Sequence, residues 1–280
     1  MEKFSNWRDG ATGVAPFLPL PKPESSPAGT ACGLILGLIR LPLVIVLTIF
    51  HFLLFQWLGP LNAVSIRLIL MVLGVYRVST VLENKRAPTP GKGDIIVSNF
   101  TSPLDPLIYS VLFDPLFVIP DGNARFLALS MPGAFRQALS VPTIGQGPSA
   151  GHDLAKLVDR ARASGKLLVI FAEGTTTNGR GLLAIPDKGT PISNTATGRV
   201  YASAVRYNPP RGCSPVPQTA VRWVWGLVSC TGVNCTVRMS APVEGKQTVA
   251  ESICRVGRLR QLGLSANDKV DFYQAWKKYH

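Results

Sequence analysis

The chain has 280 residues and a mass of 30.1 kDa, enough for one sizeable hydrophobic core and an appendage, and 46% of its residues are hydrophobic, as in a folded protein. Its 29 basic and 16 acidic residues leave a formal charge of +13, which suits an anionic partner such as a membrane surface, nucleic acid or a phosphorylated substrate. The basic residues are dispersed and form no block with interleaved aromatics, so no nucleic-acid partner is expected; the cysteines Cys32, Cys213, Cys230, Cys235 and Cys254 lack Cys-x-x-Cys spacing and read as free thiols, and with three histidines no metal site is expected.

Residues 1–30 carry Pro16, Pro19, Pro21, Pro23 and Pro27 and read as an extended or disordered cytosolic arm. Residues 31–80 read as membrane-embedded. From Ala31 to Leu58 the chain is apolar apart from a few small polar residues, Arg40, His51 and Gln56, and Leu41 to Leu58 alone would make a helix of about 27 Å, close to the thickness of a bilayer's hydrocarbon core. Arg40 is able to snorkel. After Gly59-Pro60, a second apolar run from Ile66 to Tyr76 is too short to cross. Two arrangements follow: a single transmembrane helix with an interfacial one, or a hairpin that turns at Gly59-Pro60 and stays in one leaflet. The long polar, Pro-rich stretch before the apolar run argues against a cleaved signal peptide, and the length of the run argues against a soluble core helix.

Residues 81–248 read as the globular domain. A polar linker, Glu83 to Lys92, leads into a buried strand from Gly93 to Ser98. A helix from Asp105 to Leu116, interrupted near Asp114-Pro115, precedes short strands at Phe117 to Pro120 and Ala124 to Leu129 and a helix from Pro132 to Leu139. The clearest helix, His152 to Ser164, places Leu154, Leu157, Val158 and Ala161 on one face and ends at Gly165. It leads into a parallel-type strand, Lys166 to Phe171. Strands are also expected at Val200 to Tyr207, at Arg222 to Val228, where Trp223 and Trp225 alternate, and at Thr231 to Met239, with Ala241 to Glu244 as its tail. Residues 249–280 read as a helical pair, Val249 to Leu262 and Asn267 to Lys278, the second opened by a Ser265-x-x-Asp268 box. The alternation of strand and helix predicts an α/β layer fold.

Two blocks carry the chemistry, each just past a strand end, where open α/β sheets place their sites. The first is Val-Ser-Asn-Phe-Thr-Ser-Pro-Leu-Asp, residues 97–105; the second is Phe-Ala-Glu-Gly-Thr-Thr-Thr-Asn-Gly, residues 171–179. Taken alone, the first block reads as a strand end followed by a Ser/Asp-capped helix with Pro103 in its first turn, and the second as an ordinary strand-to-turn element. Together they point to a site. Arg180, Lys188 and Arg206 lie near the blocks as candidate phosphate ligands, with an ordinary solvated basic face as the alternative. His152 reads as an exposed residue at a helix start.

The pair resembles the signature blocks of the PlsC-like glycerophospholipid acyltransferases, Asn-His-x-Ser-x-x-Asp and Phe-Pro-Glu-Gly-Thr, over roughly Leu82 to Leu262. Within that family the chain is similar to the fungal lysophosphatidic acid:acyl-CoA acyltransferase group, through Asn-x-Thr-Ser-Pro-Leu-Asp, the stretch Asn6 to Asp9 and the helix around Asp268 to Trp276. The resemblance implies a mixed central sheet with flanking helices, on the cytosolic face of endoplasmic reticulum or lipid droplets. It also implies acyl transfer from acyl-CoA, a co-substrate, to lysophosphatidic acid or a related lysophospholipid, with membrane lipid as partner and no further cofactor. Asn99, Ser102 and Asp105 match the catalytic block; Glu173, Gly174 and Thr175 match the acceptor-binding block, and Arg206 is expected to bind substrate phosphate. Tyr201 to Tyr207 resembles the family's fourth, apolar block. The Arg-bearing second motif has its nearest counterpart in Val141 to Gln146.

Phe100 stands where the family has its His, and Ala172 where it has Pro. A positioned general base supplies about 10² to 10⁴ in rate, whereas orienting two bound substrates supplies about 7 to 11 kcal/mol. Loss of the base slows acyl transfer without forbidding it, and Asp105 or the acceptor's own phosphate are candidate proton acceptors. The other reading of Phe100 is an acyltransferase fold retained as a lipid-binding or lipid-droplet scaffold.

Overall fold

The computed structural model describes residues 2–21, 26–55, 58–121, 125–142, 151–185, 198–243 and 248–279. Its centre is a mixed seven-stranded sheet in the order β1-β7-β6-β2-β5-β3-β4. The strands are β1 (Val75–Leu82), β2 (Ile95–Ser98), β3 (Leu116–Pro120), β4 (Phe126–Leu129), β5 (Leu168–Phe171), β6 (Val200–Asn208) and β7 (Val233–Pro242). β2 pairs in parallel with both β5 and β6, β5 with β3, and β1 with β7; β6–β7 and β3–β4 are antiparallel.

The two central strands are apolar on both faces because helices cover both. Ile96, Val169 and Phe171 point into one core with α2 (Gly59–Val72), α3 (Leu104–Phe113), α4 (Met131–Leu139) and α6 (Ala220–Val228). Their neighbours Ile95, Val97, Leu168 and Ile170 point into the other with α5 (Leu154–Ala163) and α7 (Val249–Gly257). This period-2 division is what continuous Ile/Val runs mean in a covered parallel sheet.

The amino-terminal helix α1 (Pro27–Leu53) starts with Ser26 accepting from Gly29 N, with Pro27 in its first turn. It is long and apolar enough to cross a membrane: its most apolar stretch has mean hydropathy 2.5 and is 11% buried. Only a narrow face touches the domain. Gly33 and Gly37 lie there, where a Cβ on Gly37 would come within 2.9 Å of Ser229 Oγ and 3.0 Å of the Trp225 ring. Arg40 donates from that face to the carbonyls of Val228 and Cys230, at 3.2 and 2.7 Å, and to the Tyr76 hydroxyl. The arginine is thus tied to the domain rather than reaching for a lipid interface. α2 packs against α1 and α3, with Ile66, Ile69 and Leu70 buried in the core. Gly59 and Pro60 begin α2 rather than forming the turn before it.

Three expectations are corrected. The boundary set at residue 81 falls inside β1, which is already part of the domain sheet from Val75. The strand expected at Arg222 to Val228 is the helix α6, capped by Thr219, whose hydroxyl accepts from Arg222 N at 3.3 Å; Trp223 and Leu227 share its buried face. The segment expected to be a disordered arm is folded over residues 2–21. Phe4, Trp7, Phe17 and Leu18 pack with Leu262, Phe272 and Trp276, which bring in the C-terminal helix α8 (Ala266–Tyr279). Asp9 fixes this clasp by accepting from Gly263 N at 2.7 Å. Glu244, the last residue of the expected tail after β7, lies outside the described residues.

Candidate active site

The first block is the turn from β2 to α3. Asn99 prolongs the sheet by one rung: its Oδ1 accepts from Val205 N at 2.8 Å and its Nδ2 donates to Val205 O at 3.2 Å. Ser102 Oγ accepts from Leu104 N at 3.0 Å and donates to Gly212 O. Asp105 turns back on the block that precedes it. Its Oδ2 accepts from Thr101 N at 2.8 Å, Ser102 N at 3.1 Å and Thr101 Oγ1 at 3.3 Å, while Oδ1 accepts from the Tyr207 hydroxyl. This is the Ser/Asp-capped helix start that the block suggests when taken alone. Burial lifts the Asp105 carboxyl to about 6, against the pull of Tyr207 and the two backbone donors.

The second block is the turn after β5. Gly174, at φ +67° and packed beside Pro120 at the end of β3, allows the chain to reverse in the left-handed region. The reversal sends the Glu173 side chain into the fold. Its Oε2 accepts from Phe100 N at 2.6 Å and its Oε1 from Leu183 N at 2.9 Å. Thr177 N donates to Phe100 O at 3.1 Å, so both backbone groups of Phe100 are bonded to the second block. Gly179, also at positive φ, lies against Thr101. The two blocks, distant in sequence, are therefore one structure. Burial pushes the Glu173 carboxyl up to about 8, with the Leu183 and Phe100 donors pulling it down.

Phe100 is fully buried and stacks on Phe171 with ring centroids 4.2 Å apart and planes 14° from parallel; Phe171 stacks in turn with Phe117 at 5.8 Å. Thr175 is buried and its hydroxyl has no hydrogen-bond partner among the described residues. Arg206 is not brought to the carboxylates. It is exposed on β6, between the buried Val205 and the Tyr207 that reaches Asp105, and successive strand residues face opposite sides. Arg180 is exposed at the end of the second block, Lys188 lies outside the described residues, and so do residues 143–146 of the stretch proposed for the Arg-bearing motif. His152 bridges to Phe126 as a short antiparallel pair rather than starting α5.

The site also contains groups that the motif comparison did not single out. Tyr207 closes the Asp105 bonding set. Tyr109 joins Ser98 and Ser203 at 2.8 and 2.7 Å behind the first block, and burial raises its phenol. Lys269, on α8, is fully buried and donates from Nζ to Thr176 O at 2.6 Å and to Thr176 Oγ1 at 3.0 Å. One signal for it was present in the sequence: Lys269 stands in register with Ala266 and Phe272 on the buried face of an amphipathic helix.

Fold and site together define an α/β domain whose two motif blocks meet around a pair of buried carboxylates at the ends of β2 and β5. Residues 79–200 match the Acyltransferase family model. The "Putative lysophosphatidic acid:oleoyl-CoA acyltransferase" of Schizosaccharomyces pombe is 26% identical over 306 residues, covering 100% of both chains. The "Lysophosphatidic acid:oleoyl-CoA acyltransferase 1" of Saccharomyces cerevisiae is 29% identical over 202 residues, covering 69% of this chain and 63% of that one. Thus this chain spans somewhat less than two thirds of the latter's length. Among solved structures, the 1-acyl-sn-glycerophosphate (LPA) acyltransferase PlsC from Thermotoga maritima aligns with 82% of this chain and 94% of its own, at 14% identity and a TM-score of 0.46. The chain is thus similar to the Acyltransferase family over residues 79–200, and to two fungal proteins named as lysophosphatidic acid:oleoyl-CoA acyltransferases over all or most of its length.

Proposed function

We propose that the protein is a membrane-bound enzyme that moves a fatty acyl group from acyl-CoA to the free hydroxyl of lysophosphatidic acid or a related lysophospholipid. The hydroxyl oxygen attacks the thioester carbonyl, the C–S bond breaks, and CoA leaves as the thiol with the proton that the hydroxyl gives up. The observation that carries this reading is the bond from Phe100 N to Glu173 Oε2, which fuses the two blocks at the carboxyl ends of adjacent parallel strands. The substrates named for the two fungal relatives support the acceptor and donor. α1 supports membrane attachment, on this reading to endoplasmic reticulum or lipid droplets with the domain in the cytosol.

The chemistry available to the chain is orientation and a preformed thioester rather than a free base. All the acceptor positions that Asp105 uses are taken by Thr101, Ser102 and Tyr207, and no side chain at residue 100 accepts a proton. The acceptor phosphate is then the simplest group to take the proton late in the transition state. Thr175, next to Glu173, offers a buried hydroxyl with bonding capacity to spare.

The test is transfer of labelled acyl groups from acyl-CoA to lysophosphatidic acid by the purified full-length protein, set against Glu173→Ala and Asp105→Ala. Turnover in the wild type no higher than in the two variants would sink the enzyme reading. A second reading is favoured by one specific observation, the burial of Phe100 in an aromatic stack where the family has its His. On that reading the fold is a lipid-binding scaffold, and the protein would bind lysophospholipid in vesicles with no transfer.

A further inference from the structure

Lys269 is the one lysine among the described residues that is fully buried, and it comes from α8, beyond the segment that the family model covers. A buried ammonium is costly unless its donors are met and an opposite charge is near. Two donors are met at Thr176, by its carbonyl at 2.6 Å and its hydroxyl at 3.0 Å. That hydroxyl in turn faces the carbonyls of Ala138 at 2.9 Å and Ser214 at 2.6 Å, so Thr176 is locked from three sides. Burial lowers the Lys269 ammonium to about 7, and Glu173 is the group that opposes the shift.

The next residue, Thr177, donates to Phe100 O, and Glu173, three residues before Thr176, accepts from Phe100 N. Lys269 therefore grips the middle of the segment whose two ends hold Phe100. α8 is well placed to act as an anchor. Phe272 packs with Phe4, Phe17 and Trp276, Asp268 accepts from Ser265 N at 2.7 Å, and the strand-like stretch before the helix pairs with the site through Leu182 N to Arg260 O and Leu262 N to Leu182 O. The amino-terminal segment seats on the far end of the same block, where Asn178 Nδ2 donates to Ala15 O at 2.8 Å and Leu18 O at 3.0 Å.

We propose that Lys269 is a positioning residue for the acyl-transfer site: it fixes Thr176 and so sets the geometry of the loop carrying Glu173. The catalytic consequence rests on the acyltransferase reading; the mechanical one does not. A lysine that merely fills space would be replaceable by an apolar side chain of similar length without loosening the loop. A positioning lysine would not.

The experiment compares full-length wild type, Lys269→Met and Lys269→Arg in detergent micelles by hydrogen exchange and by acyl transfer. In Lys269→Met, exchange at residues 175–178 rises by about tenfold or more while α5 and β7 keep wild-type protection. In the same variant kcat falls by about 10- to 100-fold with KM within about threefold, as misplacement of a catalytic loop requires. Lys269→Arg, which keeps the donors, lies between the two. A folded Lys269→Met with wild-type exchange at 175–178, or one with looser exchange and unchanged kcat in an active enzyme, overturns the proposal. If the wild type transfers no acyl group, the enzyme reading fails, while the exchange comparison still decides whether Lys269 holds the loop. Should Lys269→Met not fold, nitrogen-15 NMR of the wild-type lysine ammonium groups decides it: a protected signal titrating well below the others supports the contact, and lysine signals that are all alike and exposed would overturn it.

Discussion

Glu173 accepts the backbone N–H of Phe100 at 2.6 Å, so the carboxylate of the second block holds the residue that interrupts the first. The bond is made to the main chain and is indifferent to the side chain at position 100. A Phe therefore fits the framework without disturbing it, and the ring goes to the core against Phe171.

Replacing Glu173 separates its structural and chemical parts. Glu173→Ala strips partners from two buried backbone donors, Phe100 N and Leu183 N, each costing about 1 to 3 kcal/mol when left unmet. Part of that loss is returned, because a buried carboxyl is no longer desolvated. The expected net loss is about 2 to 4 kcal/mol for Glu173→Ala and about half that for Glu173→Gln, which keeps one carbonyl acceptor. Denaturant midpoints of the two variants check the order. Equal stability in Ala and Gln would show that the two backbone bonds contribute nothing.

Restoring the family's His is expected to cost stability without gaining rate. In Phe100→His the ring would lie in the fully buried stack with Phe171, where an unpaired imidazole N–H costs about 1 to 3 kcal/mol. Packed that way it cannot meet an acceptor hydroxyl. Acyl transfer by Phe100→His should stay within a few-fold of wild type, against the about 10² to 10⁴ that a working base supplies. A hundredfold gain would mean that the ring at residue 100 leaves its stack.

Much of this was legible in the sequence. The strands at Ile95 to Ser98 and Leu168 to Phe171 are continuous apolar runs that only a covered sheet explains, and the blocks that follow them meet as their family likeness implies. The local bonding of Asp105 was legible in the block read as a Ser/Asp-capped helix start, and its bonds to Thr101 and Ser102 are those of the cap. What was not legible depends on partners far along the chain. Val221, Trp223, Trp225 and Leu227 alternate as in a strand, yet Trp223 and Leu227 also lie four residues apart, and short apolar runs do not separate the two periods. The Pro-rich start looked unfoldable because its aromatic residues find partners far along the chain, among them Phe272 and Trp276. β1 was hidden because its first residues continue an apolar run that belongs to α2.

Stability should pass through a shallow minimum near neutrality. The Glu173 carboxyl is raised from 4.5 to about 8, so between those values the folded chain holds more protons than the unfolded one and stability falls as pH rises. Asp105, raised from 3.8 to about 6, adds to the fall over its lower window. Lys269 is lowered from 10.5 to about 7, so the folded chain holds fewer protons between these values and stability climbs as pH rises. The limbs cross between pH 7 and 8. Glu173→Gln should flatten the acid limb and Lys269→Met the alkaline one, read as thermal midpoints across the range. A wild-type maximum at pH 7 to 8 would contradict both shifts.

The attachment of α1 yields a final prediction, because one narrow face holds it to the domain and the remainder is bare hydrocarbon. Leu38, Ile45 and Ile49 are each about half exposed or more, on a helix whose buried side is Gly33, Gly37 and Val44. No described residue of the domain covers them, so an apolar phase is the environment that suits them. A charge at the centre of an inserted helix costs about 2.5 to 3.5 kcal/mol. Leu38→Glu combined with Ile45→Glu should therefore release the protein from phospholipid vesicles in a flotation assay, while leaving the denaturant midpoint of the domain unchanged. Arg40→Leu should do the reverse. It removes the donors to the Val228 and Cys230 carbonyls, loosening α1 from the domain by about 1 to 3 kcal/mol, yet it makes the helix more apolar and keeps it on the vesicle. Full vesicle binding by the double Glu variant would place the attachment somewhere other than α1.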